Sequence, residues 1–316
     1  MICGMTIYQI LWYYMIYSLL GWMIEVIYHA ITLGKVVNRG FLNGPICPVY
    51  GSGVIMVLCM LYLTGKITGL NTNVDEVHPL ILFVIGIIFA TLIEFIAGFL
   101  LDKLFHARWW DYSDRKFNVN GYICLEFSII WGLAIAFVLR VVQPTFERSV
   151  DLIPHILGII ILIIIYLTFV ADIIITVLTV LKLNKELEKM EEVQQSILRL
   201  SDGMSEVIGI GTIKAKDKLE KNYDELTEKK QEFQNELDEH KEEFQNILDE
   251  HKEEFQNKLD EQREEYMFRK AELEGKYEHM RKAIMYQRLF GTRRLLVAFP
   301  SMKHSKYQDI IERIRK

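Results

Sequence analysis

Five long apolar segments constrain the fold of this chain more than any other feature. They cover roughly residues 7–33, 47–64, 79–101, 121–143 and 153–181. A bilayer core of about 30 Å requires about 20 apolar residues in a helix that rises about 1.5 Å per residue, and the five segments fit this requirement. Because lipid cannot satisfy backbone polar groups, each segment is predicted to cross the membrane as a helix. The predicted fold class is all-α, a polytopic membrane helical bundle of about five spans.

The chain joins an apolar part to a highly charged part. Residues 1–183 hold only 10 of the 36 Lys and Arg residues and 11 of the 41 Asp and Glu residues. The formal net charge of −5 is small, so it gives no electrostatic reason to expect nucleic acid as a partner. The four cysteines lack the spacing of a zinc site or a disulfide framework, and we predict apolar packing roles for them. No metal and no cofactor is expected.

Basic residues predict how the chain is oriented in the bilayer. They concentrate in the short loops after the first and third segments and directly after the fifth segment, whereas the opposite side has few. An excess of Lys and Arg marks the cytoplasmic side. We therefore expect an integral membrane protein with its N-terminus outside and its long tail in the cytoplasm. The basic residues concerned are Lys35, Arg39, Lys103, Arg108, Arg115, Lys116, Lys182, Lys185 and Lys189.

Two short motifs recur in the same order within the first part of the chain. Glu25 lies in MIEVI and Glu94 lies in LIEFI, and each is followed by a predicted cytoplasmic loop. The loops end in NGPIC at residues 43–47 and in NGYIC at residues 120–124. This order predicts a parallel duplication of a two-span unit within a transmembrane domain of residues 1–183, with its axis along the membrane normal.

Glu25 and Glu94 are the strongest chemical signal, because both are predicted to lie near the middle of the bilayer. A lone charge at that depth costs on the order of 3 kcal/mol, which disfavours a position facing lipid. One interpretation is that both glutamates face a shared cavity and bind a proton, a cation or a polar group of a solute. The alternative is that each is a structural hydrogen-bonding centre. Glu126 in the fourth segment and Asp172 in the fifth are further membrane carboxylates.

The two predicted cytoplasmic loops hold the remaining candidate residues. Arg39 and Arg108 are suited to pair with a carboxylate, either Asp111 or a buried glutamate. Trp109 and its aromatic neighbours fit an interfacial belt better than ligand stacking. The asparagines beside glycines are typical of turns. The complete candidate set for substrate binding or for a structural polar cluster is Glu25, Asn38, Arg39, Glu94, Arg108, Trp110, Asp111, Tyr112, Asn118 and Glu126.

Several of these residues lie in motifs that resemble one family. The motifs are GW-xx-E from Gly21, NRGFLNGPICPVYG, FHARWWDYS, FN-xx-GYICL and S-xx-WG from Ser128. Together they are similar to the putative ABC-transporter type IV permease family, the CmpB-type bacterial membrane proteins, over residues 12 to about 145. RRLLVAFPSMK at residues 293–303 is similar to the end of the tail in family members. The resemblance implies a permease subunit, and it singles out Glu25, Arg39, Trp110, Asp111, Tyr112 and Asn118 as positions of interest.

The sequence contains no GxxxxGK[ST] phosphate-binding loop, so any ATPase is expected to be a separate chain. It also shows no nucleophile, base and orienting residue in an arrangement that catalysis requires, so the chain itself is not expected to be an enzyme, and an intramembrane enzyme ranks third after the two readings that follow. We predict a membrane permease that binds or passes a small polar or charged solute. The alternative is a membrane scaffold or sensor that does not transport and that recruits partners through its tail.

The charged tail contains an 11-residue repeat, in which FQNELDEHKEE, FQNILDEHKEE and FQNKLDEQREE follow one another over residues 233–265. Eleven residues make about three helical turns, so the Phe and Leu stripe stays on one face and favours self-association over a solvated single helix. We predict a connecting helix and a break near Gly203 within residues 184–213. A coiled coil about 110 Å long should follow at residues 214–286 and form a homo-oligomer. A basic amphipathic segment at residues 287–316 should contact anionic lipid or a partner protein.

A fragment of residues 205–287 tests the coiled-coil interpretation. We expect the fragment to be helical by circular dichroism and oligomeric by light scattering, because the apolar stripe can be buried only against another helix. A dilute helical monomer would contradict the coiled coil.

Overall fold

The computed structural model describes residues 1–34, 36–68, 77–229, 237–286 and 292–315. Within these ranges, five helices are long and apolar enough to cross a membrane. They confirm the predicted all-α bundle of about five spans, although several ends differ from the predicted ones by a few residues. The spans are α1 (Ile7–Leu33), α2 (Pro48–Thr68), α3 (Pro79–Phe105), α4 (Leu125–Phe137) with its continuation, and the first part of α6 (His155–Lys229).

The fourth span is longer than α4 alone. A π-helical turn (Val138–Val142) and α5 (Gln143–Asp151) continue it without a break. The tail contains α7 (Leu237–Tyr286), and the C-terminal part contains α8 (Thr292–Ala298) and α9 (Gln308–Arg315). Four strands of two residues each lie between helices: β1 (Ala107–Arg108), β2 (Asn118–Val119), β3 (Ile123–Cys124) and β4 (Lys303–His304).

Local sequence explains where α1 begins and ends. The Thr6 hydroxyl accepts a hydrogen bond from the Gln9 backbone N–H at 3.2 Å, and the Gln9 side chain accepts one from the Thr6 N–H at 3.0 Å. This reciprocal arrangement is a capping box, which satisfies donors that have no partner within the helix. At the other end, Gly34 has a φ of 64°, a left-handed conformation that glycine adopts without steric cost.

The membrane helices pack through a core that includes polar contacts. Tyr17 of α1 donates a hydrogen bond to the Gln143 side chain of α5 at 2.6 Å, and both residues are buried. Close approach between α3 and α4 depends on glycine. A Cβ atom on Gly86 would lie 2.9 Å from Cβ of Ile135 and 3.2 Å from Cα of Gly132. Such distances leave no room for a side chain, so these glycines bring the two helices together.

The chain divides into two compact units, one formed by Met1–Leu187 with Ile284–Lys316 and the other by Glu188–Ala283. In the first unit, β2 pairs antiparallel with β3, and β1 pairs antiparallel with β4. The second pairing joins the loop after α3 to the C-terminal part of the chain. Residues 287–291 of the predicted amphipathic segment lie outside the described residues, and in residues 292–315 most of its apolar face is not available to lipid. That face is buried in the first unit through Leu295, Leu296, Phe299, Met302, Ile310, Ile311 and Ile314.

The second unit contains two long helical stretches. The predicted break near Gly203 is absent, because α6 continues without interruption from His155 to Lys229. An isolated helical glycine costs only about 1 kcal/mol relative to alanine, which the surrounding strong helix formers offset. The predicted helix of residues 214–286 is described as the end of α6 and as α7. Residues 230–236, which include the first Phe of the repeat, lie outside the described residues. The coiled coil and its homo-oligomer remain predictions.

Substitution of Gly86 by alanine tests the contact between α3 and α4. Because the added Cβ would meet Ile135 and the Gly132 backbone, we expect Gly86→Ala to lower the free energy of unfolding by about 1–3 kcal/mol. The matched control is Gly53→Ala in α2, where an added Cβ would have no neighbour within 4 Å. Thermal unfolding in detergent measures both variants, and equal melting temperatures would contradict the glycine contact.

Candidate functional site

Both carboxylate oxygens of Glu25 have partners. Oε1 accepts a hydrogen bond from the Tyr50 hydroxyl at 2.6 Å, and Oε2 lies 3.4 Å from Nη1 of Arg39. Tyr50 is in the first turn of α2, and its ring occupies space that a side chain at Gly21 would fill. The glycine one turn before Glu25 therefore allows the tyrosine to reach the carboxylate. Arg39, which was predicted to pair with Asp111 or a buried glutamate, pairs with Glu25, whose side chain is 28% exposed.

Glu94 lies deeper than Glu25, and its partners are different. It is 7% exposed, its Oε1 accepts from the Tyr112 hydroxyl at 3.0 Å, and its Oε2 accepts from Nε1 of Trp131 at 3.1 Å. The Tyr112 ring stacks on Phe127 with centroids 4.8 Å apart. Within the described part of the chain, Glu94 has no ion pair with Lys or Arg. Two neutral donors hold one carboxylate, whereas a cation and a neutral donor hold the other.

One aromatic contact connects the two glutamates. The rings of Tyr50 and Trp131 meet edge to face, with centroids 5.4 Å apart and an interplanar angle of 86°. Since Tyr50 donates to Glu25 and Trp131 donates to Glu94, this contact joins α1, α2, α3 and α4 at one interior position. We call the group the acidic cluster, and its members are Glu25, Arg39, Tyr50, Glu94, Tyr112 and Trp131.

The sequence reasoning named four of these residues and missed Tyr50 and Trp131. Both lie in motifs that carried the family resemblance, Tyr50 in NGPICPVYG and Trp131 in S-xx-WG. A Tyr hydroxyl and a Trp N–H within an apolar helix require hydrogen-bond partners. That requirement was the available signal, but which carboxylate each donor would reach depends on how the helices pack.

Asn38 organises the first loop and does not reach the glutamates. Its Oδ1 accepts from Nε1 of Trp22 at 2.7 Å and from the Gly40 N–H at 3.1 Å, and its Nδ2 donates to the Asn43 carbonyl at 2.6 Å. These bonds fix the backbone on both sides of Arg39. The residue therefore has a turn-forming role, which holds the guanidinium toward Glu25.

Asp172 anchors the end of the same loop. Its Oδ1 accepts from the backbone N–H and the side-chain amide of Asn43 at 3.1 and 2.9 Å, and its Oδ2 accepts from the Gly44 N–H at 2.7 Å. Buried carboxylates are stable when several donors surround them. This residue, predicted as one more membrane carboxylate, binds the NG turn to α6.

Arg108 and Asp111 do not pair with each other. Arg108 Nε lies 2.9 Å from Oδ2 of Asp102, and its guanidinium lies 4.7 Å from the centroid of the Tyr122 ring. Asp111 Oδ2 lies 2.7 Å from Nζ of Lys303. Burial raises the pKa of the Asp111 carboxyl, but hydrogen bonds from Lys303 and Ser113 outweigh this effect, and the net pKa lies below its ordinary value. Asp111 is therefore an ionised partner of the C-terminal part.

The remaining loop candidates support the hairpin of β2 and β3. Trp110 Nε1 donates to the Tyr122 carbonyl at 2.8 Å. Asn118 donates to the Arg115 carbonyl at 2.7 Å and accepts from the Gly121 N–H at 3.1 Å, as expected of a turn former. These residues shape the loop that carries Tyr112, and they do not contact the glutamates.

Two expectations from the sequence need correction. Trp109 is not part of an aromatic belt, because it is 3% exposed and packs on Phe41 and Phe299 with centroids 5.1 and 6.2 Å away. Glu126 does not share the interior of Glu25 and Glu94. It is in the first turn of α4, more than half exposed, and 3.1 Å from Arg115.

Comparison with known proteins gave one match. The family model described as putative ABC-transporter type IV matches residues 12–177, which include every member of the acidic cluster. No curated protein matches the chain, and no solved structure matches it.

Removal of the Tyr50 hydroxyl tests the bond to Glu25. We expect Tyr50→Phe to lower the free energy of unfolding by about 1–3 kcal/mol, because the partly buried Glu25 carboxylate loses its hydrogen-bond donor. Tyr62→Phe is the matched control, since Tyr62 lies in the same helix and is 40% exposed. Thermal unfolding of both variants measures the difference. A Tyr50→Phe protein as stable as Tyr62→Phe would show that the bond contributes nothing.

Proposed function

Because the chain belongs to the putative ABC-transporter type IV family, whose model matches residues 12–177, we propose that it is a permease subunit in a bacterial cell membrane. The acidic cluster binds a small cation, a proton or the cationic group of a polar solute, and the protein passes that solute across the bilayer. The single observation that carries the proposal is the contact of Tyr50 with Trp131, which connects Glu25 to Glu94 through one interior.

The different partners of the two glutamates assign them different roles. Glu25 is compensated by Arg39 at 3.4 Å, so its charge is already balanced. Glu94 is 7% exposed and is held by the neutral donors Tyr112 and Trp131. An ionised carboxylate in the membrane interior without a cation is costly, and a bound proton or cation removes that cost. Glu94 is therefore the group that loads the solute, and Glu25 with Arg39 is a fixed ion pair beside it.

An internal duplication fits this division of roles. NGPIC precedes α2 and NGYIC precedes α4, and a tyrosine hydroxyl donates to the glutamate of each half, although the two tyrosines are not at equivalent positions, since Tyr50 follows NGPIC and Tyr112 precedes NGYIC. Transporters with parallel repeats bind their substrates between the halves and expose the site alternately to the two sides. In this proposal the contact of Tyr50 with Trp131 lies at the boundary between the halves.

The proposal also assigns sides and partners. The loops that carry Arg39 and Arg108 lie in the cytoplasm, and the N-terminus lies outside, as the distribution of basic residues indicates. Energy comes from a separate ATPase chain. The repeat within residues 214–286 joins copies of the subunit through a coiled coil.

One observation favours the second candidate, a membrane scaffold or sensor that does not transport. Each of the four carboxylate oxygens of Glu25 and Glu94 already has one donor or cation. In addition, a cavity of about 560 Å³ among α1, α2, α3 and α6 is lined mainly by apolar side chains and does not include either glutamate. In a scaffold the glutamates would only join helices. An ATPase that copurifies favours the permease, whereas a partner held only by residues 215–286 favours the scaffold.

Glu94→Gln tests the loading role. We expect sodium, potassium, ammonium or a primary amine, or else a lower pH, to raise the melting temperature of the purified wild-type protein. Binding at 100 times the dissociation constant contributes about 2.7 kcal/mol. Glu94→Gln keeps a hydrogen-bonding side chain of similar size, and we expect this variant to fold but to lose the response. Glu25→Gln and Glu94→Gln should both abolish transport of the stabilising cation or amine into vesicles that contain the protein and its ATPase.

The control is Glu126→Gln, which removes an exposed carboxylate from the same bundle and should keep the wild-type response. If Glu94→Gln and Glu126→Gln respond equally to every cation and to pH, Glu94 does not load a solute. Full transport in both the Glu25→Gln and Glu94→Gln variants would eliminate the role of the two carboxylates in transport, whereas absence of transport by the wild-type protein would favour the scaffold.

A further inference from the structure

We propose that the C-terminal segment Thr292–Arg315 is a latch that positions both halves of the acidic cluster, and that Arg294 and Lys303 are its positioning residues. The inference rests on the proposed function and adds the regulation of that site. Arg294 binds the first cytoplasmic loop next to Arg39, and Lys303 binds the second next to Tyr112. Arg39 and Tyr112 are the loop residues that contact Glu25 and Glu94. Release of the segment would weaken the contact of Arg39 with Glu25 and that of Tyr112 with Glu94 at the same time.

Arg294 binds the backbone of the first loop, which connects α1 to α2. Its Nη1 donates to the Gly40 carbonyl at 2.9 Å and its Nη2 donates to the Phe41 carbonyl at 2.8 Å. These two carbonyls directly follow Arg39, the partner of Glu25. Hydrogen bonds from a charged group are about twice as strong as neutral ones, and a planar guanidinium fixes two acceptors at once. The backbone that aims Arg39 at the carboxylate is therefore held from the C-terminal segment.

Lys303 binds the second loop, which connects α3 to α4, through an ion pair. Its Nζ lies 2.7 Å from Oδ2 of Asp111, whose side chain is 6% exposed. Asp111 directly precedes Tyr112, the residue whose hydroxyl donates to Glu94. The antiparallel pairing of β4 with β1 adds backbone contacts to the same loop. Two cations, nine residues apart in the segment, thus hold the neighbours of one residue from each half.

The segment is seated by specific polar contacts as well as by its apolar face. His304 is 3% exposed, and its Nδ1 accepts from the backbone N–H groups of Lys306 and Tyr307 at 3.2 and 3.1 Å. Its Nε2 lies 3.3 Å from Oδ1 of Asn184. Burial is the largest of the effects that lower the pKa of the His304 imidazole to about 4. The ring is therefore neutral at neutral pH. Its Nδ1 accepts hydrogen bonds and its Nε2 donates one toward Asn184, and the bond to Asn184 forms only while the C-terminal segment lies in this position.

A connection to the tail makes the latch a means of regulation. The Thr292 hydroxyl donates to the Ile284 carbonyl at 3.0 Å, and both residues are buried. Ile284 belongs to the last turn of α7, so the start of the segment is bonded to the end of that helix. A partner or a second copy that engages the tail can therefore act on the segment, and through it on Arg39 and Tyr112.

The four natural cysteines allow a test without engineered labels. Cys47 ends the first loop and Cys124 lies in β3 of the second, and both are buried. Cys3 and Cys59 are free, less buried thiols outside these loops. The rate of alkylation by N-ethylmaleimide, resolved for each cysteine by mass spectrometry, reports the opening of each loop against an internal reference. This readout does not depend on solute binding, so it distinguishes failure of the latch from failure of the proposed function.

We expect Arg294→Gln to raise the alkylation rate of Cys47, and Lys303→Asp to raise that of Cys124, by roughly tenfold or more, since each loses a charge-assisted hold. Cys3 and Cys59 should keep their rates. The matched controls are Arg293→Gln and Lys306→Asp, which make the same changes of charge nearby and should leave all four rates unchanged.

The reciprocal exchange separates positioning from simple loss of fold. Lys303→Asp combined with Asp111→Lys restores an ion pair of opposite polarity, and we expect it to return the Cys124 rate and the cation response of the cluster toward wild-type values. Unchanged rates at Cys47 and Cys124 in the single variants would overturn the latch. So would a rise at all four cysteines that the exchange does not reverse.

Discussion

The structure of the membrane unit depends on the cost of placing two carboxylates among apolar helices. An unpartnered carboxylate in a bilayer is expensive, and the elements that face each glutamate are constrained by the need to supply donors. Glu25 and Glu94 obtain theirs from α2, α4 and the loops that follow α1 and α3. The contact of Tyr50 with Trp131 completes the arrangement, because the same two side chains that satisfy the glutamates also pack against each other.

The loops have to be rigid for this arrangement to hold. Arg39 and Tyr112 reach their glutamates from loops, and the loops are fixed by bonds from side chains that touch neither carboxylate. Asn38 and Asp172 fix the first loop, and Asn118 fixes the second. The contacts of the membrane unit therefore depend on one another. The carboxylates need donors, and two of the donors need ordered loops. The loops in turn are anchored on α6 and on the C-terminal segment.

The two glutamates are held by different kinds of partner. Glu25 has a guanidinium beside it, whereas Glu94 has a phenol and an indole. A site in which both charges were compensated would have little affinity for a cation, and a site in which neither was compensated would be costly to fold. The difference between the partners of Glu25 and Glu94 is therefore the feature on which the proposed solute binding depends, and the proposed latch would act on it.

The sequence by itself determined the parts of the protein that depend on local properties. Apolar length predicted the five spans, turn chemistry predicted the roles of Asn38 and Asn118, and depth in the bilayer identified Glu25 and Glu94. A glutamate was among the predicted partners of Arg39, but the other pairings were beyond the sequence, because a partner's identity depends on how helices and loops meet. Arg108 pairs with Asp102 and not with Asp111, and Asp111 pairs with Lys303, which is distant in the sequence. Glu126 is exposed and pairs with Arg115. Only the tertiary structure could place Tyr50 against Trp131 and fold the C-terminal segment back onto the loops, since such contacts form between residues that no spacing along the chain relates.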